Sequence, residues 1–312
     1  MTNCAQELNE RFALPGALAF NVGPGGLLFA DVHGTLADAT VCLQGAHLLH
    51  WRPRSQRTPV IWISGAAQYT AGKSIRGGMP ICWPWFGPHV SDRTLPNHGF
   101  VRTTPWSVCA SHPMEDGAIQ LCLELSDSAS TRAFWPHRFH LRLDLTIGEE
   151  LSGVLTSTNC GTADFLLGEA LHTYFELGDV ATARVLGLEG CDFSDTADGA
   201  TRKRQAGPIG FGAEVDRVYL ATATDCTIVD PALQRRIHIA KSGSRSTVVW
   251  NPGPQKAAAI GDLGPRTPRA DGRPGWREML CVESANALTD TVLLAPGAAH
   301  CLEVHYRALP LQ

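Results

Sequence analysis

The sequence predicts an all-β protein, a large antiparallel β-sandwich with few short helices. Three observations carry that expectation. Several segments alternate apolar and polar residues at period two, the pattern of strands with one face in a core and the other in water. Roughly fifteen to eighteen short strand-like segments follow one another between turn signals, as in sandwiches and barrels. Helical patterning longer than two turns is almost absent. At 312 residues the chain is long enough for one large β domain, and the span 1–312 is expected to form a single domain with 1–22 as an N-terminal extension.

Taken in order, residues 2–12 suggest a short amphipathic helix with Leu8 and Phe12 on one face. A GPGG turn follows, then strand-like runs at 27–33, 38–44, 46–53 and 59–64. In 118–127, Ile119, Leu121, Leu123 and Leu125 share a face. In 138–148, Phe139, Leu141, Leu143, Leu145 and Ile147 oppose His140, Arg142, Asp144 and Thr146, and GEE leads by a hairpin into 151–159. The run 165–178 is apolar on both faces and reads as one central strand covered on both sides. Further strands are expected at 181–188, 226–230, 235–241, 246–252, 278–286, 291–297 and 300–309, with a second helix at 254–263. The Gly-, Pro- and Arg-rich stretch 261–276 reads as a mobile surface loop.

Composition excludes several classes. Charged residues are 18% and the formal net charge is −4, which argues against a nucleic-acid-binding protein. The N-terminus has neither a basic nor an apolar signal region, and no apolar run is long enough to span a membrane. Ten cysteines without a signal peptide predict free thiols in a reducing cytoplasm, most of them acting as small buried hydrophobes. The chain contains no C-x-x-C, H-x-H or H-E-x-x-H spacing, so no metal is expected. A monomer is expected.

The organising stretch is 73–102, KSIRGGMPICWPWFGPHVSDRTLPNHGFVR. Pro80, Pro84, Pro88 and Pro96 forbid a helix or a plain strand, and the aromatic residues argue against disorder. A long, stiff, irregular loop of this kind is usually functional. With Arg76, His98 and Arg102 beside Trp83, Trp85 and Phe86, it suits a polar or anionic small ligand. Trp83, Trp85 and Phe86 are expected mainly as core anchors, although such rings also stack on sugars. Arg202, Lys203 and Arg204 read as a solvated turn.

KSIRGGMPICWPWFGP followed by NHGFVR resembles the hexose-6-phosphate mutarotases, or glucose-6-phosphate 1-epimerases, of the galactose-mutarotase-like superfamily. EALHTYFELGD (169–179), EVDRVYL (214–220) and EMLCVESAN (278–286) resemble them too, in the family's order. The resemblance spans about residues 25–308, and its specificity lies in the coincidence of separate motifs. It implies a galactose-mutarotase-like supersandwich. The implied reaction interconverts the α and β anomers of a hexose 6-phosphate without metal or cofactor. By motif position, His172 takes the place of the catalytic histidine and Glu283 that of the catalytic glutamate. Arg76, Arg102 and Asp216 take substrate-binding places, Asn97 occupies a variable substrate-contacting position, and His98 lines the pocket. One departure is Gly253, where the family often has Trp after the counterpart of Asn251-Pro252.

The residue types suit that chemistry. Exchanging anomers requires a proton delivered to the ring oxygen and one removed from the C1 hydroxyl. Histidine suits the donor and a buried glutamate the base. Each residue also has a plainer reading. A histidine on an apolar strand is ordinarily a core residue, a buried Glu283 can be a structural ion partner, and Arg76 and Arg102 can staple loops to carbonyls. Asp216 can merely hold its loop. Three alternatives remain open at this level: an epimerase of neutral aldoses, a non-catalytic carbohydrate-binding or sensor protein, and a glycosidase using Asp216 and Glu283.

Overall fold

The computed structural model describes residues 4–265 and 272–311. Residues 2 and 3 of the expected first helix, and 266–271 of the stretch read as a surface loop, lie outside the described residues. Twenty-two strands and three short helices occupy the described part. Two eight-stranded antiparallel sheets dominate, beside a four-stranded sheet and a two-stranded pair.

One large sheet runs in the order Arg184–Leu186, Cys226–Asp230, Arg235–Ser242, Ala299–Pro310, Glu150–Asn159, Phe139–Ile147, Ile119–Ser126, Ser107–Pro113. The other runs Thr201–Arg204, Asp192–Asp195, Val215–Tyr219, Ser246–Asn251, Met279–Asn286, Glu169–Leu171, Ile81–Cys82, with Tyr174–Glu176 also paired to Met279–Asn286.

The period-two alternation explains how these sheets meet. Phe139, Leu141, Leu143, Leu145 and Ile147 are buried, while the residues between them are not. They join one apolar cluster with Leu151, Leu155, Leu302 and Val304 of their own sheet and with Leu171, Phe175, Leu280 and Val282 of the other. Each fully buried large side chain there contributes roughly 1.5–3 kcal/mol. Polar links cross the same layer: Thr173 and Tyr306 share a 2.7 Å hydroxyl contact, and the Phe175 and Tyr306 rings meet edge-on at 5.0 Å.

Several expectations are corrected. The strand count exceeds the expected range because short segments such as Ile81–Cys82 and Asp192–Asp195 carry little pattern of their own. The run 59–64 is not a strand but a series of isolated bridges. Its amides serve different partners, Val60 donating to Trp51, Trp62 to Tyr174 and Ser64 to Arg76. The run 165–178 is not one strand but three, Phe165–Leu167, Glu169–Leu171 and Tyr174–Glu176, and the first pairs with Val292–Leu294 instead of the site sheet. Arg202, Lys203 and Arg204 lie on the edge strand Thr201–Arg204, not in a turn. There they face Asp192, Asp195 and Asp198 across ion pairs. Only five cysteines, at 42, 82, 122, 226 and 281, are buried. The helices at Ala5–Phe12 and Gly253–Ile260 overlap the segments the pattern marks, the second ending three residues early, whereas the short helix Ala129–Phe134 was not expected.

Among the described residues no helix is long and apolar enough to cross a membrane.

Candidate active site

Met279–Asn286 forms the spine of the site. Every residue in it is buried, as befits a strand covered on both faces. Alternation puts Cys281 and Glu283 on one side. The neighbouring ladder pairs Leu171 with Ser284 and Tyr174 with Cys281. Between these pairs the ladder is interrupted at His172 and Thr173. The register is the same on both sides of the gap, so His172 falls directly opposite Glu283. Along the strand's other edge the loop 73–102 is its neighbour: Leu171 pairs with Ile81, His172 donates its amide to the Pro80 carbonyl at 3.0 Å, and Tyr174 donates to Gly78 at 2.9 Å. Nε2 of His172 lies 3.3 Å from Oε1 of Glu283, with side chains 11% and 1% exposed.

The loop is held by its aromatic residues. Trp83 is fully buried, donates Nε1–H to Ser157 at 3.1 Å and packs against Phe100, Trp135 and Phe139. Trp85 donates to the Pro96 carbonyl at 3.0 Å. Gly99, at φ +71°, lets the two arms of the loop touch, because a Cβ there would stand 1.7 Å from the Trp83 carbonyl oxygen. His98 beside it adopts φ +65°, a strained value for a residue with a side chain. Its amide donates to the Gly87 carbonyl at 2.7 Å, and its Nδ1 accepts from the Gly87 amide at 3.2 Å. The neutral ring therefore carries its proton on Nε2. That ring stands nearly perpendicular to His172, with centroids 5.6 Å apart.

The cations are held individually. Arg76 donates Nε–H to Asp262 at 2.9 Å and a guanidinium N–H to the Tyr174 hydroxyl at 3.1 Å. Tyr174 in turn stacks on His172, centroids 5.0 Å apart and planes 17° from parallel. Arg102 donates to the Asn97 carbonyl at 2.8 Å. Asp216, on Val215–Tyr219, is 3.4 Å from Nζ of Lys256.

Burial dominates the electrostatics. Burial, then His98 and Arg102, drive the His172 imidazole well below its ordinary pKa. Burial and the Asp216 charge hold the Glu283 carboxyl well above the usual range, with Arg102 opposing. His98 is pushed down to about 3 by burial with Arg102 and Arg76. Asp216 is raised by burial against the pull of Lys256.

A cavity of about 900 Å³ is lined by Arg76, Asn97, His98, Arg102, His172, Asp216 and Glu283, all the residues singled out from the sequence. Phe86 lines it as well, while Trp83 and Trp85 stay in the core. Sequence reasoning missed Tyr174, Trp250 and Lys256, which also line it. It missed Asp262 behind Arg76 too. Tyr174 stood inside the quoted EALHTYFELGD segment, so its signal was available. Asp262 carries no local signal. Sequence spacing offered no metal ligands, yet ligand atoms of His172, Cys281 and Glu283 lie within 4.8 Å of one another. Two come from one strand and the third from its broken neighbour.

The family model described as aldose 1-epimerase matches residues 29–307. An Escherichia coli K12 protein provisionally named glucose-6-phosphate 1-epimerase is 38% identical over 84% of this chain and 84% of its own. The crystal structure of a provisionally identified mutarotase from Salmonella typhimurium superposes with a TM-score of 0.85 at 32% identity, covering 96% of each chain. A galactose mutarotase related enzyme from Lactobacillus acidophilus has a TM-score of 0.70 at 12% identity over 91% of this chain and 98% of its own, a likeness of fold alone.

Proposed function

The chain belongs to the aldose 1-epimerase family, and on that premise we propose that it interconverts the α and β anomers of glucose 6-phosphate and related hexose 6-phosphates. One observation carries this reading: an imidazole and a carboxyl 3.3 Å apart share one cavity with the guanidinium-bearing residues Arg76 and Arg102. The names of the similar proteins point to the same substrate class.

In this reading Glu283 is the base and His172 the acid. Glu283 takes the proton of the C1 hydroxyl as His172 gives one to the ring oxygen, and the C1–O5 bond opens to the aldehyde. Rotation about C1–C2 turns the carbonyl. O5 then attacks the other face of C1, its proton returning to His172 while Glu283 reprotonates O1. Neither residue is consumed, and no electron transfer is needed. The reactive form carries a proton on His172 and none on Glu283, and burial works against both charges. Arg102 and Arg76 oppose a charged imidazole. A phosphate dianion seated on those guanidinium groups weakens that opposition to the imidazolium and also the support that Arg102 gives the Glu283 carboxylate. Arginine suits phosphate binding through its bidentate fork. Asn97, His98 and Asp216 are assigned to the sugar hydroxyls. The protein is taken to act in the cytoplasm as a monomer.

NMR exchange spectroscopy on glucose 6-phosphate tests the proposal. Faster α–β exchange than buffer alone, and faster than on glucose at equal concentration, is expected. A preference for the neutral sugar overturns the phosphate assignment, and no acceleration on any aldose leaves a sugar-binding protein.

A further inference from the structure

We propose that His172, Cys281 and Glu283 form a binding site for a soft divalent cation such as zinc, and that occupying it shuts the acid–base pair. Their ligand atoms lie within 4.8 Å of one another, and Nε2 of His172 is 3.3 Å from Oε1 of Glu283. Donors about 2.0–2.3 Å from a tetrahedral zinc stand about 3.3–3.8 Å apart, so the trio needs only small side-chain adjustments to close on an ion. Nitrogen, sulfur and oxygen from one residue each is a donor set that suits zinc better than magnesium or calcium. Among the described residues no donor reaches Oε2 of Glu283, so turning that oxygen toward an ion breaks no hydrogen bond it makes. His172 and Glu283 line the sugar cavity, whereas Cys281 sits behind them, so the ion enters from the cavity and meets the thiol last. Three protein ligands leave the fourth position to water on the cavity side.

A cation takes the Cys281 sulfur as thiolate, so binding releases the thiol proton to solvent and strengthens with rising pH. The ion then holds the lone pair that His172 needs as a base and the oxygen that Glu283 needs. The ion therefore occupies both groups that the proton relay needs.

Cobalt(II) is the probe, because a thiolate ligand gives it a near-ultraviolet charge-transfer band that does not depend on catalysis. Cys4, Cys160 and Cys301, the exposed thiols, are changed to serine in every protein compared. One cobalt per chain with that band is expected, together with displacement by zinc. Cys281→Ser should lose the band, and His172→Ala should weaken cobalt at least about 100-fold while keeping the thiol. Absence of the band, or a band that survives Cys281→Ser, overturns the site. A second readout rests on the epimerase reading: zinc should inhibit anomer exchange by the parent and about 100-fold more weakly by Cys281→Ala. Equal inhibition of the two overturns the proposed effect. If no exchange is detectable in any protein, the epimerase reading fails, and cobalt still decides the metal site.

Discussion

Nε2 of His172 stands 3.3 Å from Oε1 of Glu283 at the one place where the strand beside Met279–Asn286 is broken. The register does not shift across that gap, so the acid and the carboxyl lie directly opposite one another. The His172 amide faces the strand's other edge and answers to Pro80 in the loop, which ties the acid to the segment carrying Arg76, His98 and Arg102.

Removing either member of the pair should cost most of the turnover and little of the affinity. His172→Ala and Glu283→Gln are each expected to lower kcat by about 10²–10⁴-fold, the usual worth of one positioned proton-transfer group. KM should change little, because the phosphate contacts remain. The double variant should lose little beyond the worse single one, since one proton path serves both. Exchange spectroscopy across glucose 6-phosphate concentrations measures both constants. A tenfold rise in KM with unchanged kcat would assign the pair to binding instead.

Glu283→Gln should stabilise the fold, and more so as pH rises. The carboxyl is held well above its ordinary value of 4.5 by burial and Asp216. A raised carboxyl favours the folded state below the unfolded pKa, where both states are protonated, and loses that advantage as pH climbs through the folded pKa. Between those two values the unfolded chain ionises and the folded one does not, a cost of about 1.4 kcal/mol per pH unit. Glutamine carries no such cost. Urea melts of parent and variant should coincide near pH 4 and separate from pH 5 upward, the variant being the more stable. Curves that stay parallel would mean that the carboxyl is ionised when buried.

The arginines should divide phosphorylated from neutral sugars. Arg76→Ala or Arg102→Ala each removes charge-assisted hydrogen bonds worth about 1.5–3 kcal/mol, a rise of roughly 10–100-fold in KM for glucose 6-phosphate. Exchange on glucose should change much less. Arg76→Ala also frees Asp262 and leaves the Tyr174 hydroxyl without its guanidinium. Arg102→Lys should recover less than half of the lost binding energy, since an ammonium cannot reproduce the fork. Equal losses on both sugars would return these residues to loop-stapling.

How far the site could be read in advance depended on whether each signal was local. The strand Phe139–Ile147 announced itself because one face is wet and the other dry, so its period is written in the residues. Met279–Asn286 and the 165–178 run were visible as apolar but not in their pairing, because strands covered on both faces show no alternation. His172 faces Glu283 through a register between two distant segments that no local pattern reveals. Phe86 and Trp83 have equivalent chemistry in the sequence, yet one lines the cavity and the other fills the core. Asp262 meets Arg76 across the fold, and nothing near either residue foretells it. Gly253, where relatives are expected to carry Trp, has φ +61°, and a Cβ there would meet the Glu214 nitrogen at 2.7 Å.

The loop's geometry should prove more sensitive at Gly99 than at any open glycine. At Gly72, φ is +75° with nothing within 4 Å of a built Cβ, so Gly72→Ala meets only the left-handed backbone cost of about 1–2 kcal/mol. At Gly99, φ is +71° and the Cβ would lie 1.7 Å from the Trp83 oxygen. Backbone must move. Phe100 donates its amide to that oxygen at 3.1 Å, and Trp83 donates to the His98 carbonyl at 3.2 Å. A shift therefore breaks the bridge between the arms and displaces His98 from its contact with His172. Gly99→Ala is expected to lose at least about 3 kcal/mol, the strain cost together with one lost hydrogen bond. It should also lower kcat in whatever fraction remains folded, whereas Gly72→Ala keeps parental turnover. Chemical denaturation ranks the two, and exchange rates normalised to folded protein separate a misplaced His98 from simple unfolding. Equal stability of the two variants would mean that the arms of the loop do not touch.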